Sequence, residues 1–290
     1  MTIEILDGSM GQELVRRVGE LNTRMWGIGV MRDDPEIVRA VHDDYFAAGA
    51  DIATTNTYNI HPSYFAGCPY PDEFEELTRL ACELACASRD ANGAGVVAGG
   101  VGPTGWSYRP ELGNDIDAAT EEFGEIARIM GDYVDVMLIE TMSSHDAARG
   151  AVAGSREAGK PIWLSMTVDD FDGGLLRSGD PVESAVSLAE ELGVERLFLN
   201  CSRPEAMTEA LPRITGKGLP IGAYANGFTH ITDAFKGDDG QITDLSDRKD
   251  LGPNAYADFA EQWAAAGVTT IGGCCEVGPA HIAEVARRLK

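Results

Sequence analysis

Short apolar runs alternate with longer amphipathic stretches along the whole sequence. Residues 134–139 are one example of the first kind, and such a near-continuous apolar run is typical of a strand in a parallel sheet that helices cover. Residues 35–48 are an example of the second kind, because Ile37, Val41 and Tyr45 recur at helical spacing. The pattern therefore predicts strands and helices that follow one another in turn.

Eight such strand-then-helix units fill the sequence. The predicted strands cover residues 3–7, 50–55, 95–101, 134–139, 161–168, 196–200, 219–224 and 268–271. The predicted helices cover residues 10–18, 35–48, 71–90, 117–133, 143–158, 181–192, 204–214, 254–266 and 279–289. This count predicts an α/β fold, a single (β/α)₈ TIM barrel that occupies residues 1–290 as one domain. An open doubly wound sheet is the alternative, but no Gly-x-Gly-x-x-Gly follows the first strand.

The balance of charges narrows the range of partners. The chain has 47 acidic and 23 basic residues, which gives a formal net charge of −24. Such a surface repels nucleic acid phosphates and anionic lipid, so we expect neither as a partner. No apolar run of about 18 residues and no secretory signal is evident, which favours a cytoplasmic protein. The oligomeric state is left open by the sequence.

Three cysteines stand out because each follows the end of a predicted strand. Cys201 follows strand 196–200, and the sequence Gly-Gly-Cys-Cys at 272–275 follows strand 268–271. Adjacent cysteines serve poorly inside a strand, where successive side chains point to opposite faces, and the two glycines permit a bend and a close approach to a ligand. In a parallel barrel these strand ends meet at one face. Cys201, Cys274 and Cys275 are therefore a plausible zinc set with a fourth position left open for reaction.

The cysteines also allow other interpretations. Cys201 could be an ordinary buried thiol, and Cys274 and Cys275 could form a vicinal disulfide, although strain and a reducing compartment oppose that bond. Cys82 and Cys86 are four residues apart among apolar neighbours, so core packing explains them better than chemistry. Cys68 is a lone loop thiol without an assigned role.

The histidines give little sign of metal binding. His42, His145 and His281 fall within predicted helices, where a role at the surface or at a helix end is expected instead.

Polar and aromatic residues follow the same strand ends as the cysteines. Asp7 and Glu140 could be solvated or helix-capping acids, or they could bind an ammonium group at the mouth of a site. Four aromatic residues either cover the rim of the barrel or form a wall against a cationic group: Trp26, Tyr58, Trp106 and Tyr108.

The sequence motifs resemble those of the homocysteine S-methyltransferase family over nearly the whole chain. The most specific match is Gly-Gly-Cys-Cys at 272–275 together with Asn200-Cys201. Weaker matches lie at residues 6–10, 25–26, 42–50, 99–103 and 139–141.

The resemblance implies a (β/α)₈ barrel that acts on small molecules, with Zn²⁺ on Cys201, Cys274 and Cys275 and with homocysteine as the methyl acceptor. It also implies that Asp7 and Glu140 lie at the amino-acid end of the homocysteine site. The further candidates for substrate contacts are Thr55, Asn56, Trp26, Tyr58 and Asn226.

The implied chemistry needs no catalytic residue beyond the zinc-bound substrate thiolate. Zinc would lower the pKa of the acceptor thiol, and the thiolate would attack the methyl group of an onium donor to give methionine. A dry pocket favours this step because opposite charges are consumed, and the polar loop at residues 226–252 is the candidate lid.

The resemblance leaves the donor open. S-methylmethionine or S-adenosylmethionine is expected first, with betaine or dimethylsulfoniopropionate, or another thiol acceptor, as alternatives. Separate folate and cobalamin domains, which larger members use, are not expected in this chain. A zinc-binding barrel without catalysis is the alternative from a different class.

Overall fold

The computed structural model describes residues 2–19, 26–237 and 240–290, and the main chain only of Trp26. The strands are β1 (Glu4–Ile5), β2 (Ile52–Thr54), β3 (Val96–Val101), β4 (Val136–Met142), β5 (Ile162–Met166), β6 (Arg196–Asn200), β7 (Ile221–Ala225) and β8 (Thr270–Gly273). The α-helices are α1 (Met10–Val18), α2 (Trp26–Asp33), α3 (Pro35–Ala47), α4 (Pro62–Ala66), α5 (Phe74–Asn92), α6 (Ile116–Met130), α7 (His145–Ser155), α8 (Ser184–Leu192), α9 (Pro204–Ile214), α10 (Asp233–Lys236), α11 (Pro253–Ala265) and α12 (Pro279–Leu289).

The strands form one parallel sheet that closes into a barrel. Their order is β1-β8-β7-β6-β5-β4-β3-β2, so each strand pairs with its neighbours in sequence and β8 returns to β1. A parallel bridge between Leu6 and Ile52 joins β1 to β2, and the amide of Asp51 donates to the carbonyl of Ile5 at 2.7 Å. The predicted (β/α)₈ barrel is confirmed.

Side chains of the strands alternate between two cores. In β4, Leu138 points into the barrel, whereas Met137 and Ile139 pack in the larger core under the helices. The barrel interior is filled by Leu6, Ile52, Ala98, Val136, Leu138, Trp163, Phe198 and Tyr224. The interior below the strand ends is therefore packed rather than open, which confines any site to the rim.

The two glycines before the cysteines lie inside β8 rather than after it. A Cβ atom on Gly272 would lie 2.6 Å from the Cβ atom of Leu6 and 2.8 Å from the carbonyl oxygen of Asp7. The predicted end of this strand at residue 271 was therefore two residues short. Glycine is required here because β8 packs closely against β1, and not because the chain bends.

Other predicted boundaries also shifted. β4 continues through Glu140 to Met142, three residues beyond the prediction. The short helices α2, α4 and α10 were not predicted, because a helix of one or two turns shows too little of the helical period in its sequence. None of the helices in the described ranges is both long and apolar enough to cross a membrane.

The expectation for His42 was wrong. It is fully buried on the face of α3 that also carries Val38 and Val41, and neither ring nitrogen has a hydrogen-bond partner in the described part of the chain. Burial lowers the pKa of His42 to about 4 because the charged imidazolium would lose its hydration. His145 and His281 do lie at helix starts, since His145 begins α7 and His281 accepts from the amide of Gly278 through Nδ1.

Candidate active site

Three neighbouring strands bring the predicted cysteines together. Cys201 directly follows β6, and Cys274 and Cys275 directly follow β8, on either side of β7. The amide of Cys201 donates to the carbonyl of Tyr224 at 3.2 Å, and that of Cys274 donates to the carbonyl of Ala225 at 2.9 Å. The strand ladder thus continues one residue past each strand end and fixes the three main chains. The three Sγ atoms lie within 4.8 Å of one another.

The structure pairs two of these cysteines as a disulfide. Cys201 and Cys274 are bonded through their sulfur atoms, with their Cα atoms 5.7 Å apart, while Cys275 keeps a free thiol. The vicinal bond considered from the sequence is therefore not the one formed. Burial raises the pKa of the Cys275 thiol to about 12, because a thiolate would lose its hydration there, and the negative charge of Glu276 adds to the shift.

The donor set nevertheless fits a metal ion once the disulfide is reduced. Zinc holds cysteine sulfurs at about 2.3 Å, so ligands around one ion lie about 4 Å apart, within the spread of this cluster. Thiolates are soft donors, which zinc accepts and which magnesium or calcium does not. Among the described residues this group has three members, so a ligand position would remain for another molecule.

Asp7 lies at the end of β1 with its carboxylate turned toward β2. It is 3% exposed and accepts hydrogen bonds from the amide of Thr54 at 2.6 Å and from the hydroxyl of Thr54 at 2.9 Å. Burial raises the pKa of Asp7 to about 7, although these two hydrogen bonds oppose the shift. Thr55 was predicted as a substrate contact, and Thr54 was not predicted. The inward alternation along β2 was the signal that could have identified it.

Glu140 is the second buried carboxylate of the rim. It lies in β4, is 8% exposed, and accepts a hydrogen bond from the hydroxyl of Tyr224 at 3.4 Å. A Cβ atom on Gly100 would lie 2.3 Å from Oε1 of Glu140, so glycine in β3 makes the room for this carboxylate. Burial, together with the negative charge of Asp7, raises the pKa of Glu140 to about 8. The two carboxylates therefore share one electrostatic environment.

Asn200 ties three strands together beside the cysteines. Its Oδ1 accepts from the amide of Thr141 at 3.1 Å and from the hydroxyl of Ser165 at 2.7 Å, and its Nδ2 donates to the hydroxyl of Thr141 at 2.9 Å. These contacts join the ends of β4, β5 and β6. Asn200 thus fixes the end of β6, and the thiol of Cys201 follows directly after it.

Comparison with known proteins identifies the family. A family model described as homocysteine S-methyltransferase matches residues 4–289. The chain belongs to the homocysteine S-methyltransferase family. It is 32% identical to the homocysteine S-methyltransferase of Escherichia coli (strain K12), over 99% of this chain and 95% of that protein. It is 26% identical to the selenocysteine Se-methyltransferase of Brassica oleracea var. italica, over 98% of this chain and 88% of that protein.

Solved structures support the same assignment. The fold matches the metallated form of the homocysteine methyltransferase MmuM from Escherichia coli with a TM-score of 0.81 and 30% identity, over 99% of this chain and 96% of that chain. It matches the oxidized form of the same protein with a TM-score of 0.82 and 28% identity, with the same coverage. The resemblance stated from the Gly-Gly-Cys-Cys and Asn-Cys motifs is confirmed, and the protein is an enzyme of the methyltransferase class.

Three other predicted substrate contacts of this homocysteine S-methyltransferase family member have hydrogen-bond partners within the protein: Thr55, Asn56 and Tyr58. The hydroxyl of Thr55 accepts from the amide of Gly100 at 3.1 Å, and Nδ2 of Asn56 donates to the carbonyl of Gly27 at 3.0 Å. The hydroxyl of Tyr58 lies 2.8 Å from that of Ser107. Thr55 and Asn56 are therefore engaged with β3 and α2, and their roles toward a substrate stay predictions.

Asn226 and Trp26 are the two remaining candidates for substrate contacts. Asn226 is fully buried after β7; its Oδ1 accepts from the amide of Phe228 at 3.2 Å, and its Nδ2 has no partner among the described residues. The side chain of Trp26 lies outside the described part of the chain, although its main chain begins α2.

The candidate lid packs on the thiols. We define the cover segment as residues 226–237 and 240–252. Its side chains Phe228, Ile231 and Leu245 are buried in one cluster with Cys201 and Tyr108, and Cys274 and Cys275 pack against that cluster. Tyr108 thus belongs to the site, whereas Trp106 is 41% exposed on the rim.

Proposed function

We propose that this chain is a zinc-dependent methyltransferase that moves a methyl group from an onium donor to the thiolate of homocysteine, giving methionine. The observation that carries the proposal is the meeting of three cysteines and two buried carboxylates at one rim of the barrel. Membership of the homocysteine S-methyltransferase family supports the same chemistry.

The thiols would hold the metal in the reduced enzyme. Cys201, Cys274 and Cys275 offer three sulfurs from the ends of β6 and β8. Bound zinc would lower the pKa of the acceptor thiol and keep it as a thiolate at neutral pH. Reduced thiols agree with the proposed location in the cytoplasm, where disulfides are rare.

The carboxylates would hold the amino-acid end of the acceptor. Asp7 and Glu140 are buried and form no salt bridge with another described residue, and burial raises the pKa of Asp7 to about 7 and that of Glu140 to about 8. An ammonium group between them would favour their ionised forms, because an opposite charge nearby offsets the loss of hydration. These two residues would therefore orient homocysteine with its sulfur toward the cysteines.

The cover segment would exclude water from the reaction. The acceptor sulfur forms a bond to the donor methyl carbon while the bond from that carbon to the onium atom breaks, and the onium atom keeps the electron pair. The reaction consumes the negative charge of the thiolate and the positive charge of the onium group. A site without water therefore favours the transfer, because these charges are not stabilised by hydration before the reaction. Phe228, Ile231 and Leu245 provide such an apolar surrounding beside Cys201.

The donor is proposed to be S-methylmethionine or S-adenosylmethionine, with betaine or dimethylsulfoniopropionate as the alternatives. A second acceptor is also worth testing, because one full-length relative is named a selenocysteine Se-methyltransferase. Selenocysteine shares the amino-acid end of homocysteine, which Asp7 and Glu140 would bind in the same way.

The deciding experiment measures zinc content and methionine formation in reduced protein. Homocysteine is the acceptor, and the four donors are tested separately. We expect about one zinc per chain and turnover with at least one donor. Cys201→Ala should lose zinc and activity together, whereas Cys68→Ala, at a loop thiol remote from the cluster in sequence, should keep both.

Two results would contradict the proposal. An active Cys201→Ala variant without zinc would remove the metal from the chemistry. Bound zinc without turnover of any donor, with either homocysteine or selenocysteine, would favour the zinc-binding barrel that has no catalysis.

A further inference from the structure

A buried ion pair lies between the cover segment and the cysteines. Asp170 and Arg177 belong to the connection between β5 and α8; their side chains are 3% and 8% exposed, and Nη2 of Arg177 lies 2.8 Å from Oδ1 of Asp170. The second carboxylate oxygen of Asp170 accepts from the amide of Ile231 at 2.7 Å. Asp170 thus holds the main chain of the cover segment at Ile231. The side chain of Ile231 packs in the same cluster as Cys201.

Arg177 contacts Tyr108 and Cys201 in addition to Asp170. Tyr108 belongs to the connection between β3 and α6, and the guanidinium carbon of Arg177 lies 4.8 Å from the centre of its ring. Its Nη2 makes a long contact of 3.5 Å with the carbonyl oxygen of Cys201. Tyr108 in turn packs against Phe235 of α10, with ring centres 6.0 Å apart. One ion pair therefore joins three barrel connections at the cysteine cluster.

The main chain of Cys201 needs such support. Its φ angle is +47°, in the left-handed region that a residue with a Cβ atom adopts only when its surroundings enforce it. The amide of Cys201 is held by β7, and Arg177 is the donor next to its carbonyl oxygen. A buried ion pair often adds little to the free energy of unfolding, because the loss of hydration offsets the attraction of the charges. The position of this pair beside the strained main chain of Cys201 therefore indicates that it orients that residue.

We propose that Asp170 and Arg177 are positioning residues for the methyl transfer. Asp170 keeps the cover segment seated on the cysteine cluster, and Arg177 keeps Cys201 in the orientation that a shared metal ion requires. Neither residue touches the reacting atoms. The role in metal binding rests on the proposed function, whereas the seating of the cover segment does not.

The opposite end of the barrel offers a matched control. Arg196 lies at the start of β6, 4.5 Å from the centre of the Trp163 ring, and pairs with Glu4 of β1. It therefore combines the same two kinds of interaction as Arg177, in a pair that is more exposed, and it lies at the other end of β6 from Cys201. Arg196→Gln should report what the loss of such a pair does to stability alone.

The test compares three variants with the unaltered protein under reducing conditions. They are Asp170→Asn, the double variant Asp170→Asn/Arg177→Gln, and the control Arg196→Gln. The double variant guards against misfolding, because it leaves no unpaired charge buried. Each protein is assayed for thermal unfolding, for the rate of cleavage within residues 226–252 by a protease at low temperature, and for zinc retention against a chelator.

We expect both Asp170 variants to be cleaved in the cover segment about tenfold faster and to bind zinc about 10–100-fold more weakly, the range for residues that orient metal ligands. Arg196→Gln should lose thermal stability without either change. Unchanged cleavage and zinc retention in a folded double variant would overturn the proposal. Absence of methionine formation by the unaltered protein would instead contradict the proposed function and leave the cleavage result valid.

Discussion

Gly100 is the residue that makes room for the Glu140 carboxylate. A Cβ atom there would lie 2.3 Å from Oε1 of Glu140 and 2.4 Å from Cγ2 of Thr54. Gly100→Ala should therefore displace Glu140 and raise the KM for homocysteine about tenfold, with a smaller change in kcat, because the proposed role of Glu140 is to bind the substrate and not to take part in the transfer. Steady-state kinetics with the donor at saturation measures both constants.

The control for this substitution is Gly124→Ala on α6. The nearest atom to a Cβ atom there would be the tip of the Arg128 side chain, at 3.4 Å, and the contacts with Glu157 at 3.6 Å and Gly154 at 3.9 Å are ordinary van der Waals contacts. This variant should keep the KM of the unaltered protein. If Gly100→Ala also kept that KM, Glu140 would not hold the substrate.

The buried charge of Glu140 should make stability depend on pH. Its pKa rises from 4.5 in the unfolded chain to about 8 in the folded one, so the folded chain binds more protons between these pH values. The free energy of unfolding therefore falls as the pH rises through this window, by about 4 kcal/mol. Glu140→Gln should stabilise the metal-free protein at pH 8 and have little effect near pH 4.5.

Thermal unfolding of the reduced, metal-free protein at both pH values measures this effect. Glu121→Gln, at an exposed position on α6, is the control and should change neither midpoint. Equal shifts of the Glu140→Gln midpoint at the two pH values would show that the carboxylate is not buried in the way the structure places it.

At the scale of elements, the contact between β8 and β1 depends on Gly272. A Cβ atom there would clash with the main chain of Leu6 and Asp7, which cannot move without disturbing the barrel closure. Gly272→Ala should lower the free energy of unfolding by about 1–3 kcal/mol, as overpacking does. Urea unfolding followed by circular dichroism measures the change.

Gly252→Ala is the control for Gly272→Ala in the measurement of unfolding free energy. A Cβ atom on Gly252 meets nothing within 4 Å and its φ angle is −75°, so the variant should lose less than about 1 kcal/mol. A Gly272→Ala variant as stable as Gly252→Ala would show that the seam between β1 and β8 is looser than described.

At the scale of the whole molecule, the net charge of −24 should oppose folding at low salt. The range of charge repulsion falls from about 30 Å at 0.01 M ionic strength to about 8 Å at 0.15 M. Added sodium chloride should therefore raise the melting temperature by about 2 °C, which corresponds to about 1 kcal/mol for a chain of this length. A decrease would mean that surface ion pairs such as Arg149–Glu191 outweigh the repulsion.

Much of the fold followed from local pattern. Eight alternating units predicted the barrel, and the common direction of parallel strands predicted that Asp7, Glu140 and the three cysteines would share one rim. The position of β8 was less accurate, because Gly272 is demanded by contact with Leu6 rather than by its own neighbours in sequence.

The sequence by itself determined the barrel, the family and the rim at which the chemistry is proposed, because periodicity and motif spacing are properties of neighbouring residues. Only the tertiary structure decided that Thr54 holds Asp7, that His42 is buried, and that Asp170 and Arg177 meet the cover segment. These contacts join residues that are far apart in the chain, and strand register and helix packing select them.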